Sequence, residues 1–115
     1  MDHDRRALGD HGEALAARWY SERGYDVVAR NWRCRHGELD LVLGRPGLVV
    51  FCEVKARTTA AFGTGAEAVT ATKQARLRRL AAEWLAVTAH EPVDVRFDVA
   101  VVYRGVEVDI VEGAF

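Results

Sequence analysis

Long apolar runs are missing from this chain. No stretch approaches the roughly 18 to 20 residues that a membrane-crossing helix needs. The opening MDHDRRALGD also lacks the apolar segment of a secretory signal, so a cytoplasmic protein without membrane contact is expected. Cysteine is scarce: Cys34 and Cys52 are two among 115 residues, too few for a disulfide framework, and both are expected to be reduced. A surplus of one charge is missing too. Sixteen Lys and Arg stand against 17 Asp and Glu, a formal net charge of −1, which excludes the broad basic surface of an indiscriminate polyanion binder but not a local basic face. The balance is uneven, with 14 basic against 11 acidic side chains in residues 1–90 and 2 against 6 in residues 91–115. Repeats, low-complexity tracts and linkers are absent. Lysine is nearly so: 14 of the 16 basic residues are Arg, and Lys55 and Lys73 are the exceptions.

What is present suits one domain. Half of the residues are hydrophobic and 29% are charged, enough to build a core and keep a wetted surface, and the length leaves no room for a second folding unit. Residues 1–115 are therefore expected to fold as a single domain. Residues 5–23 hold helix formers without proline, and Gly24 follows where a helix end favours a residue tolerant of positive φ. At 100° per residue, Leu8, Gly12, Leu15, Ala16, Ala17, Trp19 and Tyr20 share one arc, with His11, Arg18 and Glu22 opposite. Glu13 falls inside the apolar arc, an odd place for a carboxylate. Residues 25–32 are rich in β-branched and aromatic side chains and read as a strand, closed by the polar run 33–37. Residues 38–43 (ELDLVL) and 48–56 (LVVFCEVKA) flank Gly44-Arg45-Pro46-Gly47, which predicts an antiparallel hairpin. A Gly-containing loop, 57–65, leads to a helix from about 70 to about 90, and strands at 93–103 and 106–111 follow, turning at Arg104-Gly105. The order α-β-β-β-α-β-β describes an α/β fold, a mixed sheet flanked by helices.

The hairpin gathers the residues that carry chemistry. Centred on the GRPG turn without a bulge, it sets residue i opposite residue 91 − i, so that Glu38 faces Glu53 and Asp40 faces Phe51. Alternation then puts Glu38, Asp40, Phe51, Glu53 and Lys55 on one face, and Leu39, Leu41, Leu43, Val50, Cys52 and Val54 on the other, which is the expected core. Three acids on one face repel one another unless something neutralises them. A divalent cation would, since Mg²⁺ and Mn²⁺ take oxygen ligands and commonly use one or two carboxylates. Asp40 and Glu53 fit that role. Lys55, two residues beyond Glu53, could hold or deprotonate an attacking water, or offset charge on a phosphorane-like transition state. A tunable lysine suits that position where arginine would not.

These residues resemble the D…ExK core of the PD-(D/E)xK, or restriction-endonuclease-like, nuclease superfamily: Asp40, then twelve residues, then Glu53-Val54-Lys55. More closely, GEALAARWYSERGYDVVARNWRCRHGELDLV, FCEVKAR, the AV-T-x-x-K run at residues 68–73 and RFDVA are similar to the YraN-like family, small bacterial proteins predicted to be nucleases. The resemblance covers nearly the whole chain. It implies a restriction-endonuclease-like mixed sheet, and within the superfamily it points to the archaeal Holliday junction resolvases, which add an acid from the first helix to the hairpin's acid, acid and lysine. Glu13 matches that acid. The resemblance thus implies a Mg²⁺- or Mn²⁺-dependent endonuclease that cleaves DNA, junction DNA included, with Glu13, Asp40, Glu53 and Lys55 catalytic and the three acids on the metal.

Other residues divide between function and packing. Lys73, Arg76, Arg78 and Arg79 on the second helix are either a phosphate-contacting patch or a solvated face. Arg30, Arg33 and Arg35 around Trp32 could meet nucleic acid, though Trp32 reads better as core. Glu38 reads either as an acid supporting the metal ligands or, preferably, as a solvated strand residue. Cys34-Arg35-His36 offers two soft ligands with no second pair, a poor zinc site. Trp19, Trp84, Leu85 and Phe97 read as packing residues. Two function classes follow: a metal-dependent DNA phosphodiesterase, and a nuclease-fold module that binds nucleic acid or a protein without cutting. Dimerisation would supply the footprint that a net charge of −1 denies to a single copy.

Overall fold

The computed structural model describes residues 2–57, 69–90 and 94–115, with side chains from residue 11 onward. Its elements are α1 (Asp2–Ser21), β1 (Asp26–Cys34), β2 (Gly37–Arg45), β3 (Leu48–Arg57), α2 (Ala71–Val87), β4 (Asp94–Tyr103) and β5 (Glu107–Val111). The order is the α-β-β-β-α-β-β read from the sequence. Five strands form one mixed sheet in the order β1-β2-β3-β4-β5. Only β3 and β4 run parallel, and the connection between them carries α2, as a parallel pair requires. Most of the 57–65 loop, together with Ala68 and Val93, lies outside the described residues. Among those described, no helix is long and apolar enough to cross a membrane.

Helix ends follow local chemistry. Gly24 takes φ 86°, and the Tyr25 N–H donates back to the Tyr20 carbonyl at 3.1 Å, closing α1 as a Schellman-type end. Thr70 caps α2, its hydroxyl accepting from the Lys73 N–H at 3.2 Å. That helix ends at Val87 rather than near residue 90, because Thr88 turns its hydroxyl onto the Trp84 carbonyl at 2.6 Å and Ala89 adopts φ 54°.

The two helices cover opposite faces of the sheet. Ala16, Ala17 and Tyr20 of α1 pack on Leu41, Leu43, Val50, Cys52 and Ala100. Leu77, Leu80, Ala81 and Trp84 of α2 pack on Val42, Val49, Phe51, Val99 and Val101. This corrects the expectation of one apolar and one polar hairpin face: Phe51, expected beside the acids, is buried under α2. The arc read for α1 is the one that turns inward, with Gly12, Glu13, Ala16, Ala17 and Tyr20 buried and His11, Arg18 and Glu22 exposed. Of the expected packing residues, Trp84 is buried, while Trp19, Trp32, Leu85 and Phe97 are partly buried against the two cores.

The hairpin register differs from expectation. Leu41 pairs with Cys52 and Arg45 with Leu48, so residue i faces residue 93 − i. The loop is Pro46-Gly47 alone: proline presets the first turn dihedral, and Gly47 at φ 79° supplies the positive φ of a type II turn, which leaves Arg45 in the strand. A slip of two residues keeps each side chain on its face. It removes the Glu38–Glu53 and Asp40–Phe51 pairings and sets Asp40 at the position across from Glu53, just past the last ladder pair. There the alternation also breaks. Asn31, at φ 51°, lies across from Asp40, and both Trp32 and Leu39 pack with the α2 core.

Candidate metal centre and its lysines

Past Leu41 and Cys52 the ladder between β2 and β3 stops, and the two strands fork. Asp40 sits in the fork, where its Oδ2 accepts the Val54 N–H at 2.9 Å. The carboxylate takes the place of a missing ladder partner, so its position is set by the backbone of β3. Glu13 reaches the same place from α1. The preceding Gly12 faces the sheet at van der Waals distance from Val54 and Val102. Glu13 is only 7% exposed. One carboxylate oxygen from each of Glu13, Glu38 and Asp40 lies within 4.8 Å of the others.

Glu53 stands beside this group, held by cations. Its Oε1 is 3.1 Å from Lys73 Nζ and 3.8 Å from Lys55 Nζ. A cavity of about 10 Å³ is lined by Asp40 and Glu53 together with Phe51, Leu77 and Phe97, close to the smallest void that holds one water. Burial, and next the Glu53 charge, push the Asp40 carboxyl from an ordinary 3.8 up to about 7. Glu13 adds to the push and the Val54 N–H opposes it. Burial, then the hydrogen bond with Lys73, lowers Lys55 from the ordinary lysine value. Lys73 is raised: burial works against its charge but is outweighed by the bond to Lys55 and by Glu53. Of the two amines, Lys55 gives up its proton more readily.

The sequence named Glu13, Asp40, Glu53 and Lys55, and the fold brings all four to the fork. It also brings two residues read otherwise. Glu38, read as solvated, is half-buried and joins Glu13 and Asp40, while Arg33 Nε holds its Oε2 at 3.1 Å. Its place on the Asp40 face was the available signal. Lys73, grouped with a basic patch, instead belongs to the site. The rest of that patch disperses: Arg78 lies over the Phe97 and Phe115 rings, Arg79 reaches His36 at 3.3 Å, and Arg76 is exposed. Arg30, Arg33 and Arg35 are exposed along β1 and its turn. The all-oxygen donor set could hold a hard cation such as Mg²⁺ or Mn²⁺, and positive charge there would relieve the repulsion that raises Asp40.

The model of the uncharacterised protein family UPF0102 matches residues 12–102, a span that contains every residue of the fork. The chain belongs to UPF0102. A UPF0102 protein of Parafrankia sp. (strain EAN1pec) is 50% identical over 112 residues, covering 94% of this chain and 95% of its own. A UPF0102 protein of Frankia alni is 52% identical over 113 residues, covering 95% and 94%, and one of Nocardia farcinica is 54% identical over 96 residues, covering 84% and 76%.

Proposed function

We propose that this UPF0102 chain is a divalent-metal-dependent endonuclease of the PD-(D/E)xK superfamily, with a restriction-endonuclease-like fold, that hydrolyses DNA phosphodiester bonds, junction DNA included. The observation that carries the reading is the meeting of carboxylates from three separate elements with a lysine of lowered proton affinity at one fork in the sheet. Glu13, Asp40 and Glu53 would hold the Mg²⁺ or Mn²⁺, with Glu38 within reach. The ion would supply charge neutralisation and a more acidic water. Lys55 would take or orient the proton of the attacking water, a role that its lowered proton affinity favours. Lys73 would hold Glu53 in place and keep a positive charge beside the scissile phosphate.

A non-catalytic binding module is the second reading, favoured by the observation that Lys55 and Lys73 already neutralise Glu53. Cleavage decides between them. Single-stranded, duplex, flap and four-way DNA are incubated with Mg²⁺ or Mn²⁺ and wild-type or Glu53→Ala protein. The nuclease reading expects metal-dependent products from the wild type on at least one form and none from Glu53→Ala. Equal products from both, or none from either, contradict it.

A further inference from the structure

We infer that the β1–β2 turn carries a second metal site, of a different chemical kind, in which Cys34, His36 and Glu83 supply three of the four ligands of a Zn²⁺ ion. The site is separate from the carboxylate fork and stands whether or not the fork is a nuclease. Cys34 ends β1 and pairs with Gly37, the first residue of β2, so Arg35 and His36 form a two-residue turn. Gly37 adopts φ 142°, and a Cβ there would stand 3.3 Å from Leu80 Cδ1. The missing side chain lets α2 settle onto the turn. Glu83, one helical turn beyond Leu80 on the same side of α2, is thereby set against Cys34 and His36. This third ligand comes from far along the chain, which is why the spacing Cys34-Arg35-His36 alone reads as a poor site.

The geometry is close to that of a bound ion. His36 Nδ1 lies 3.0 and 3.1 Å from the two Glu83 carboxylate oxygens, and Cys34 Sγ lies 3.4 Å from Oε2. All three ligand atoms fall within 4.8 Å of one another, on half-buried side chains. With Zn–S of about 2.3 Å and Zn–N and Zn–O of about 2.1 Å, ligand atoms around a tetrahedral zinc stand about 3.3 to 3.6 Å apart. The Glu83–His36 and Glu83–Cys34 spacings reach these values by opening a few tenths of an ångström. Thiolate, imidazole and carboxylate are zinc's usual ligands, whereas the fork offers oxygen alone.

The surroundings agree with this. The His36 backbone N–H donates to Cys34 Sγ at 3.4 Å, which fixes the sulfur at the turn. A shallow surface depression lined by Arg33, Cys34, Arg35, Gly37 and Glu38 gives an ion a path from solvent to the sulfur. On binding, the Cys34 thiol proton is released to solvent, and the ring proton of His36 sits on Nε2 while Nδ1 takes the metal. Arg79 Nη2, now 3.3 Å from Nε2, must then turn away into solvent. Arg79 is thus a competitor of the metal. Because Glu38 lies two residues beyond His36, the ion would fix the start of β2 next to the fork.

The test is a Co²⁺ titration of the full, chelator-treated chain, followed by displacement with Zn²⁺. Expected is one tetrahedral Co²⁺ per chain, marked by a thiolate-to-cobalt charge-transfer band and strong visible bands that Zn²⁺ removes, whatever Co²⁺ the fork also takes. The band should survive in the Asp40→Ala, Glu53→Ala double variant, which separates this site from the fork, and vanish in Cys34→Ser. Glu83→Gln should weaken Zn²⁺ binding by about 100-fold, and Arg79→Ala should tighten it. If Cys34→Ser does not fold, Glu83→Gln carries the same readout from a half-exposed helix position. Absence of the thiolate band in the wild type, or an unchanged Zn²⁺ affinity in Glu83→Gln, would mean that the three side chains form a hydrogen-bonded cluster only, and would overturn the inference.

Discussion

At the scale of single residues, Asp40 ties the electrostatics of the fork to pH. Burial and the neighbouring Glu53 raise its carboxyl to about 7, above the 3.8 of an exposed aspartate. The unfolded chain therefore releases this proton first. Between about pH 4 and pH 7 the folded state holds a proton that the unfolded state has lost, so the metal-free protein loses stability as pH rises through that window. Asp40→Asn keeps an oxygen for the Val54 N–H and removes the titration. Urea midpoints should place Asp40→Asn above the wild type at pH 8, with the difference fading towards pH 4. A metal ion inverts the logic, because it binds the ionised form: Mn²⁺ affinity measured by calorimetry should strengthen as pH rises to about 7 and then level off.

At the scale of elements, the stability of the scaffold rests on a second buried carboxylate. Asp98 of β4 is fully buried. It accepts from Arg96 at 2.8 and 2.9 Å, from the Tyr20 hydroxyl of α1 at 2.6 Å and from the Gly113 N–H at 3.0 Å. These bonds fasten α1 to β4 and to the C-terminal turn, and α1 is the element that delivers Glu13. Asp98→Ala leaves Arg96 and Tyr20 without their acceptor and should cost about 3 to 5 kcal/mol, measured by urea unfolding. Element order was legible in the sequence, because Gly24, Pro46-Gly47 and the alternating hydrophobics act locally. The Glu13, Asp40, Glu53 and Lys55 set was legible from the hairpin and the helical arc that holds Glu13, even though strict alternation fails at Asp40. Asp98 was not, since its partners lie on α1 and beyond β5 and only the closed sheet brings them together. The same applies to Lys73 and Glu83, whose roles depend on where α2 docks. The register was misread because the turn was taken as four residues, when proline and glycine close it in two.

At the scale of the whole molecule, the proposed DNA substrate has to be met by a chain of net charge −1. The exposed arginines of β1, its turn and α2 offer local positive charge, and a metal at the fork would offset part of its acid. If Arg76 and Arg79 meet phosphates, replacing both with alanine should weaken DNA binding and flatten the log–log salt dependence by about two units of slope. An unchanged slope in the folded double variant would assign these side chains to a solvated face. The claim that unites the scales is that the fork is chemical machinery, and Lys55 tests it most directly. The measurement is single-turnover cleavage of the responsive DNA form with Mn²⁺, comparing wild type, Lys55→Ala and Lys55→Arg, with Mn²⁺ and DNA binding measured alongside. If Lys55 handles the proton of the attacking water, both variants lose cleavage by about 10²-fold or more while still binding metal and DNA, because arginine keeps the charge but not a tunable proton. Cleavage by Lys55→Arg at the wild-type rate, or no metal-dependent cleavage by the wild type on any DNA form, would contradict the account.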